Sequence, residues 1–247
     1  MNETVVITGD AGAIGSATVE VFIEAGKTVL GLDVEERTSH GPDRYHTRLC
    51  DVTDESSLEA ALATLEGLPP LGHVVAVAGG ALPDEPRTQD RPWSLDTEVF
   101  RESVERNLIS QFVTMKAVMP WLLANRGVNR SVTFTSSLNG LSAQGMPAYS
   151  AAKAGLIGLM HAVVGPLGGE GIRVNTVAPG TVRTPRTERI WGHDPGHFER
   201  LADTTLLGHL GEPDDVARVF RALALEMTHV TGQVLVVDGG QLRSTGL

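Results

Sequence analysis

The stretch from Thr4 to Gly15, TVVITGDAGAIG, joins an apolar run to a glycine-rich turn and then to a helical pattern. The run predicts a buried strand, and residues 13–25 have the spacing of a helix. Gly9 and Gly12 permit a tight turn with close backbone approach, and Gly15 lets the helix pack on the strand. Free amides at the start of such a helix favour an anion such as a pyrophosphate. A simple packing turn is the alternative for this segment taken alone.

The same order of strand and helix repeats along the whole chain. Alternation of short branched runs with helical-period segments predicts parallel strands joined by right-handed crossovers. The runs are apolar throughout, as in a sheet covered on both faces. We expect an α/β fold, a Rossmann-type doubly wound parallel sheet with helices on both faces, formed by residues 1–247 as a single domain. The predicted strands are TVVIT, TVLGLD, YHTRLC, HVVAVAG, SVTFTS, IRVNTVA and QVLVVD, and the predicted helices span residues 13–25, 54–65, 96–123, 147–168 and 213–226.

Charge and cysteine content narrow the classes of partner. The formal charge is -10, from 30 acidic and 20 basic residues without a basic run, which disfavours nucleic acid. Cys50 is the only cysteine and cannot form an internal disulfide. The N-terminus leads directly into the first strand, so we expect a cytoplasmic protein. No apolar stretch approaches the ~20 residues of a membrane helix, and no membrane partner is expected.

The second predicted strand ends in an acid, Asp33, which follows Gly15 by 18 residues. A dinucleotide site places the acceptor for the adenosine ribose hydroxyls at this position. The carboxylate would repel a 2'-phosphate, so we expect NAD to be preferred over NADP, with Arg37 as the one reservation. Methyltransferases also combine a glycine loop with an acid, and the rest of the chain must separate the two classes.

Near the middle of the chain, YSAAK places Tyr149 and Lys153 four residues apart, on one face of the helix predicted over residues 147–168. In isolation this pair is more often a half-exposed tyrosine beside a solvated lysine. Hydride transfer between a nicotinamide and an alcohol carbon, however, requires a proton to move at the oxygen. An ammonium one turn away and the positive ring of the oxidised cofactor would both favour the phenolate and lower the pKa of the phenol from its usual ~10 toward working pH.

Taken together, TGDAGAIG, YSAAK, RVNTVAPG and the C-terminal VDGG resemble the short-chain dehydrogenase/reductase family over essentially the whole chain. The resemblance implies a catalytic tetrad of Asn107, Ser137, Tyr149 and Lys153. It further implies that Lys153 binds the nicotinamide ribose, that Ser137 steadies the substrate oxygen and that Asn107 holds a water that relays protons. Ser136 competes with Ser137, which we prefer because it begins the SLNG that matches the family's Ser-x-x-Gly.

The resemblance also implies the contacts with the cofactor. Asp51 resembles the aspartate that meets the adenine, and the segment after Pro179 resembles the one that receives the nicotinamide amide. Two positions depart from the family: Ala13 stands where glycine is common, and Ala76 stands where an asparagine usually braces the sheet. The expected cofactor-binding residues are Gly9, Gly12, Ala13, Ile14, Gly15, Asp33, Asp51, Val52, Ala78, Gly79, Tyr149, Lys153, Pro179, Gly180, Val182 and Thr184.

Residues 184–211 are too long for an ordinary connection and begin where the nicotinamide is expected, so we predict a substrate lid. His193 and His197 within it could suggest a metal, but they flank Pro195 and Gly196, and no third ligand has useful spacing. We interpret them as loop histidines and expect no metal.

The leading hypothesis is an NAD-dependent oxidoreductase that interconverts a secondary alcohol and a ketone on a small molecule. The alternative is a non-catalytic nucleotide sensor or interaction protein on the same fold, which would not need Tyr149 and Lys153 together. The resemblance implies a homotetramer. The helix predicted over residues 96–123 supports association, since it carries more apolar surface than one sheet face requires, at Phe112, Met115, Met119 and Trp121.

Overall fold

The computed structural model describes residues 2–35, 44–83, 85, 91–125, 129–142, 145–192 and 194–244. Within these ranges the chain forms one parallel sheet of seven strands in the order β3-β2-β1-β4-β5-β6-β7, so the predicted doubly wound Rossmann-type fold is confirmed. The winding direction reverses between β1 and β4, where such sheets bind ligands beyond the carboxyl ends of the strands. The strands are β1 (Thr4–Thr8), β2 (Thr28–Asp33), β3 (Tyr45–Leu49), β4 (Leu71–Ala76), β5 (Arg130–Thr135), β6 (Ile172–Pro179) and β7 (Val234–Val237).

Helices connect the strands and cover both faces of the sheet. They are α1 (Ala13–Glu24), α2 (Glu55–Leu62), α3 (Thr97–Val104), α4 (Ser110–Ala124), α5 (Pro147–Gly169), α6 (Pro185–Trp191), α7 (His197–Ala202), α8 (Pro213–Leu225) and α9 (Gln241–Ser244). Short 3₁₀ turns occupy Ala63–Gly67, Pro92–Ser94 and Leu138–Gly140.

Two separate apolar cores result from the alternation of side chains along the strands. On β1, Val6 packs with α2, α4 and α5, whereas Val5 and Ile7 pack with α1 and α8 on the opposite face. All three side chains are wholly buried, which explains why the strands read as continuous apolar runs.

The segment predicted as one helix over residues 96–123 is interrupted. The five residues Glu105–Ile109 form a π-helical turn between α3 and α4, and Asn107 lies in its middle. A π-turn adds a residue to the helical repeat and is frequent at functional sites, but it leaves no signature in hydrophobic spacing.

Helix α5 differs from the expectation that no apolar stretch approaches the length of a membrane helix. By length and composition it could cross a membrane, since its most apolar 18-residue window has a mean hydropathy of 1.3 over a helix of 23 residues. In the fold, one face of this helix packs on the sheet, with Leu156 and Met160 in the core and Lys153 buried near its start.

Candidate active site

The glycine loop between β1 and α1 packs closely against the neighbouring backbone, which only glycine permits at two positions. Gly9 has φ of 74°, and a Cβ on it would lie 2.8 Å from the backbone nitrogen of Ala78. A Cβ on Gly15 would lie 1.9 Å from the carbonyl oxygen of Gly9. Gly12 stands at the N-cap of α1 without a side-chain cap, so the first amides of the helix face the loop. Ala13 begins the helix, as expected from the sequence.

Asp33 ends β2 directly beside this loop. Its Oδ2 accepts a hydrogen bond from the backbone N–H of Ala11 at 3.0 Å, and its Oδ1 accepts one from Glu35 at 3.1 Å. The carboxylate therefore stands at the edge of the glycine loop, where an acceptor for ribose hydroxyls is needed. Arg37, the reservation about cofactor preference, lies outside the described residues.

Sequence analysis missed the support beneath the loop. Asp10 is wholly buried, and its Oδ2 accepts a hydrogen bond from the hydroxyl of Tyr45 on β3. Gly31 on β2 makes room for this carboxylate, because a Cβ there would lie 2.0 Å from Oδ2. Tyr45 is 35 residues from Asp10, so no local pattern connects the two.

Hydrogen bonds from β1 hold the turn after β4, where Ala76 replaces the asparagine that usually braces the sheet. The Thr8 hydroxyl accepts hydrogen bonds from the N–H groups of Val77 at 3.1 Å and Ala78 at 3.2 Å. Ala76 is buried and pairs with Phe134 of β5. The end of β4 is thus fixed by a hydroxyl from β1.

Other predicted cofactor residues have local partners. The exposed Asp51 carboxylate accepts hydrogen bonds from the Thr53 N–H at 2.9 Å and hydroxyl at 2.7 Å, next to the buried Val52. The Thr184 hydroxyl caps α6 by accepting from the Thr187 N–H at 3.1 Å.

The segment after β6 is held against β7. Pro179 ends β6, and Gly180 donates its N–H to the Val237 carbonyl at 2.8 Å. A Cβ on Gly180 would lie 2.7 Å from the Cβ of Asp238, so only glycine fits there. Val182 is buried and bridges to Gly211, which closes the base of the predicted lid.

Tyr149 and Lys153 share one face of α5, as their spacing predicts. The Lys153 ammonium lies 5.5 Å from the centre of the Tyr149 ring and donates to the Thr135 carbonyl at 2.8 Å. Lys153 is only 2% exposed, and burial, reinforced by the nearby Arg186, lowers its pKa to about 7.

Burial acts against the fall that was predicted for the pKa of Tyr149. Burial raises the pKa of this phenol above its usual 10, and the neighbouring Glu85 carboxylate raises it further. The hydrogen bond with Ser137 and the positive charge of Arg186 act in the opposite direction but do not prevail. Exclusion of water disfavours the phenolate form of Tyr149 and the ammonium form of Lys153. The phenol therefore stays protonated, and the lysine is only partly charged near neutral pH.

The two adjacent serines have different partners. Ser136 donates to the Lys153 carbonyl at 2.7 Å and so ties β5 to α5. The Ser137 hydroxyl instead donates to Asn139 Oδ1 at 3.3 Å, accepts from the Asn139 N–H at 3.2 Å, and acts to lower the pKa of the Tyr149 phenol. The geometry therefore favours Ser137 over Ser136 as the residue beside the reacting oxygen.

Asn107, wholly buried, uses the π-turn to reach the loop after β4. Its Oδ1 accepts from the Gly80 N–H at 2.7 Å, and its Nδ2 donates to the carbonyls of Gly80 at 3.2 Å and Ser103 at 2.9 Å. A Cβ on Gly79 would lie 2.7 Å from Oδ1, so this glycine is needed for the approach. Asn107 thus aligns the turn that carries Ala78 and Gly79.

Arg186, on the first lid helix, reaches over the same turn. Its guanidinium donates to the carbonyls of Gly79 at 3.4 Å and of Ala81, and it packs on Gly80. It also influences the pKa values of Tyr149 and Lys153, so α6 brings a positive charge near both side chains.

The histidine pair within the lid is only partly described. His197 approaches Asp194 at 3.3 Å and stacks on Trp191 with ring centres 5.5 Å apart, whereas His193 lies outside the described residues. Within the ranges that the structure describes, no group of three or more His, Cys, Asp or Glu side chains could hold a metal ion.

Comparison with known proteins places this geometry among oxidoreductases. A family model described as enoyl-(acyl carrier protein) reductase matches residues 9–241. The chain is 35% identical over 241 residues to an uncharacterised oxidoreductase of Schizosaccharomyces pombe, covering 96% of this chain and 90% of that protein. It is 30% identical over 251 residues to the 2,5-dichloro-2,5-cyclohexadiene-1,4-diol dehydrogenase of Sphingobium indicum, covering 96% of each. It superposes with a TM-score of 0.88 and 35% identity on an oxidoreductase of the short-chain dehydrogenase/reductase family from Burkholderia thailandensis, covering 98% of this chain and 94% of that one.

Proposed function

Because the chain belongs to the short-chain dehydrogenase/reductase family, we propose that it is an NAD(H)-dependent oxidoreductase that interconverts a secondary alcohol and a ketone on a small molecule. The family binds a nicotinamide cofactor, and named dehydrogenases among the relatives act on alcohols. The observation that carries the proposal is the pair of Tyr149 and Lys153 on one face of α5, with the buried Lys153 amine 5.5 Å from the centre of the Tyr149 ring.

The residues at the switch point fit a dinucleotide. The glycine loop and the first amides of α1 would hold the pyrophosphate, and Asp33 would accept the ribose hydroxyls. The same carboxylate would repel a 2'-phosphate, which is why we propose NAD rather than NADP. The nicotinamide ring, when bound, accepts or returns the hydride.

Residues of the chain itself transfer the proton that accompanies the hydride. In the reducing direction, the protonated phenol of Tyr149 donates its proton to the oxygen of the new alcohol; in the oxidising direction, the phenolate takes it back. Ser137 holds that oxygen through its hydroxyl, which also acts to lower the pKa of the phenol. Lys153 stabilises the phenolate by charge, and its bond to Thr135 fixes its position.

A cyclic secondary alcohol is the substrate to test first. The relative from Sphingobium indicum is named for the dehydrogenation of a cyclic diol. Specificity in this architecture is set by the lid and by the loop before α5, so the panel must also contain open-chain alcohols and sugars.

The test measures initial rates on this panel with NAD and NADP at equal subsaturating concentrations. We expect turnover with NAD to exceed that with NADP, and Asp33→Ala to narrow the difference because the repelling charge is gone. Tyr149→Phe is the matched control: it should lose at least about a hundredfold in turnover, since only the proton carrier is removed. A higher rate with NADP would contradict the cofactor assignment, and no turnover on any substrate while NADH binds would favour the sensor.

A further inference from the structure

Glu85 is a carboxylate with no exposed surface, next to the active site but outside the predicted tetrad. It lies beyond the end of β4, in a segment that sequence analysis left without a role. Its Oε1 accepts a hydrogen bond from the backbone N–H of Tyr149 at 2.7 Å. Its Oε2 accepts from the Ser103 hydroxyl at 2.9 Å and from the Leu82 N–H at 3.4 Å.

The helix that carries Tyr149 needs this carboxylate as a cap. Met146 occupies the N-cap position of α5 with φ of 52°, and its side chain makes no capping bond. Tyr149 is the third residue of the helix, so its N–H is one of the donors without a partner in the helix. A carboxylate accepting from that position satisfies the donor and complements the positive end of the helix dipole.

The second oxygen of Glu85 extends the contact to the π-turn. Ser103, which donates its hydroxyl to Glu85, accepts at its carbonyl from Asn107 Nδ2 at 2.9 Å. Asn107 in turn bonds both polar backbone groups of Gly80. One buried carboxylate therefore connects the backbone at Tyr149 to the segment that places Asn107.

We propose that Glu85 is a positioning residue for the reaction, which holds Tyr149 and Asn107 in register and places a buried carboxylate at the start of the helix that carries Tyr149. The inference rests on the proposed function for its catalytic consequence. Among the described residues, Ser137, Arg186 and Glu85 influence the pKa of the phenol, and the Lys153 amine lies 5.5 Å from the centre of its ring.

Replacing Glu85 by glutamine separates the two roles. The amide oxygen of Glu85→Gln still accepts from the Tyr149 N–H, but the negative charge is gone. Because the carboxylate raises the pKa of Tyr149, its removal should lower that pKa, and alcohol oxidation should retain its rate to lower pH. Glu85→Ala removes both the charge and the cap.

The experiment titrates the phenols by their ultraviolet absorbance in the full chain. The sequence contains only two tyrosines, Tyr45 and Tyr149, so subtraction of the Tyr149→Phe curve isolates the residue of interest. We expect Glu85→Gln to shift its midpoint to lower pH at nearly unchanged melting temperature. Glu85→Ala should lose about tenfold or more in kcat, because the catalytic helix is no longer held. Glu98→Gln, with a side chain 76% exposed on α3, is the matched control and should behave like the wild type.

Two results would overturn the proposal. If the titration midpoint of Tyr149 is unchanged in Glu85→Gln, the charge of Glu85 has no effect on the phenol and Glu85 is only a helix cap. If Glu85→Ala keeps the kcat of the wild type, Glu85 does not position the catalytic residues. If Glu85→Ala does not fold, Glu85→Gln alone decides. The phenol titration needs no substrate, so it measures the effect of Glu85 on Tyr149 even if the proposed oxidoreductase activity fails.

Discussion

Lys153 carries its ammonium in a place from which water is almost excluded, and this has a cost in stability. Its pKa of about 7 in the folded chain lies below the usual 10.5, so folding disfavours its charged form. We expect Lys153→Met to abolish turnover and yet to raise the free energy of unfolding by about 1–3 kcal/mol near neutral pH. The Thr135 carbonyl keeps a partner in this variant, because Gln111 also donates to it at 3.2 Å.

The pH dependence of the free energy of unfolding follows from the same pKa of Lys153. Below about pH 7 the lysine is charged in both states, so the wild type bears the full cost of burial. Between pH 7 and 10.5 the unfolded chain binds the extra proton, and wild-type stability should rise with pH. Urea unfolding of both proteins at about pH 6 and about pH 10 measures this, and the advantage of Lys153→Met should shrink at the higher pH. A constant difference between the two proteins would contradict it.

At the scale of elements, the predicted lid, residues 184–211, is held to the rest of the fold near both of its ends. Leu207 donates to the Gly239 carbonyl at 3.1 Å, and Gln241 donates to Thr204 at 2.9 Å. At the other end, Arg186 bonds the turn after β4, while α7 between them has no buried residue. Leu206 and Leu207, near the C-terminal end of the lid, are 61% and 68% exposed.

We therefore expect the lid to open and close about its base. Backbone amides between Arg186 and Leu206 should gain protection from hydrogen exchange when NAD and a substrate analogue are added, more than those of the strands do. The amides of β1 and β4 serve as the internal reference. Protection equal to that of the sheet without any ligand would mean a fixed wall instead of a lid.

For the whole molecule, β7 ends the sheet, and no other described strand pairs with its outer edge. Unpaired edges invite pairing with another chain, and Val236 on β7 is 39% exposed. On α4, Phe112 is 43% exposed, as expected for an association surface. The expectation that Met115 also contributes apolar surface is wrong, because its side chain is buried in the core. Met119 and Trp121 are also partly covered by that core.

We expect a homotetramer that uses the β7 edge together with the outer faces of α4 and α5. Light scattering at micromolar concentration should give four times the chain mass, and Val236→Lys should reduce it by placing charge on that edge. Leu49→Lys, on the opposite edge strand β3 and 63% exposed in the wild type, is the matched control and should leave the mass unchanged. A monomeric mass for the wild type would refute the prediction.

Sequence alone was sufficient for the features that depend on short spacing. Alternation of apolar runs and helical periods predicted the parallel sheet, because each element needs only its own pattern to choose strand or helix. The four-residue step from Tyr149 to Lys153 fixed a shared face, since one helical turn has that length. The eighteen residues from Gly15 to Asp33 likewise predicted an acid beside the glycine loop, and Asp33 bonds Ala11 there.

Only the tertiary structure decided what depends on distant partners and on the exclusion of water. Glu85 reaches Tyr149 across 64 residues, and Tyr45 reaches Asp10 across 35, so no local pattern could announce either contact. The π-turn at Asn107 changes the backbone without changing residue types in any regular way. Burial raises the pKa of Tyr149 in the chain itself, and this effect could not be foreseen from the sequence because it depends on elements that are distant along the chain.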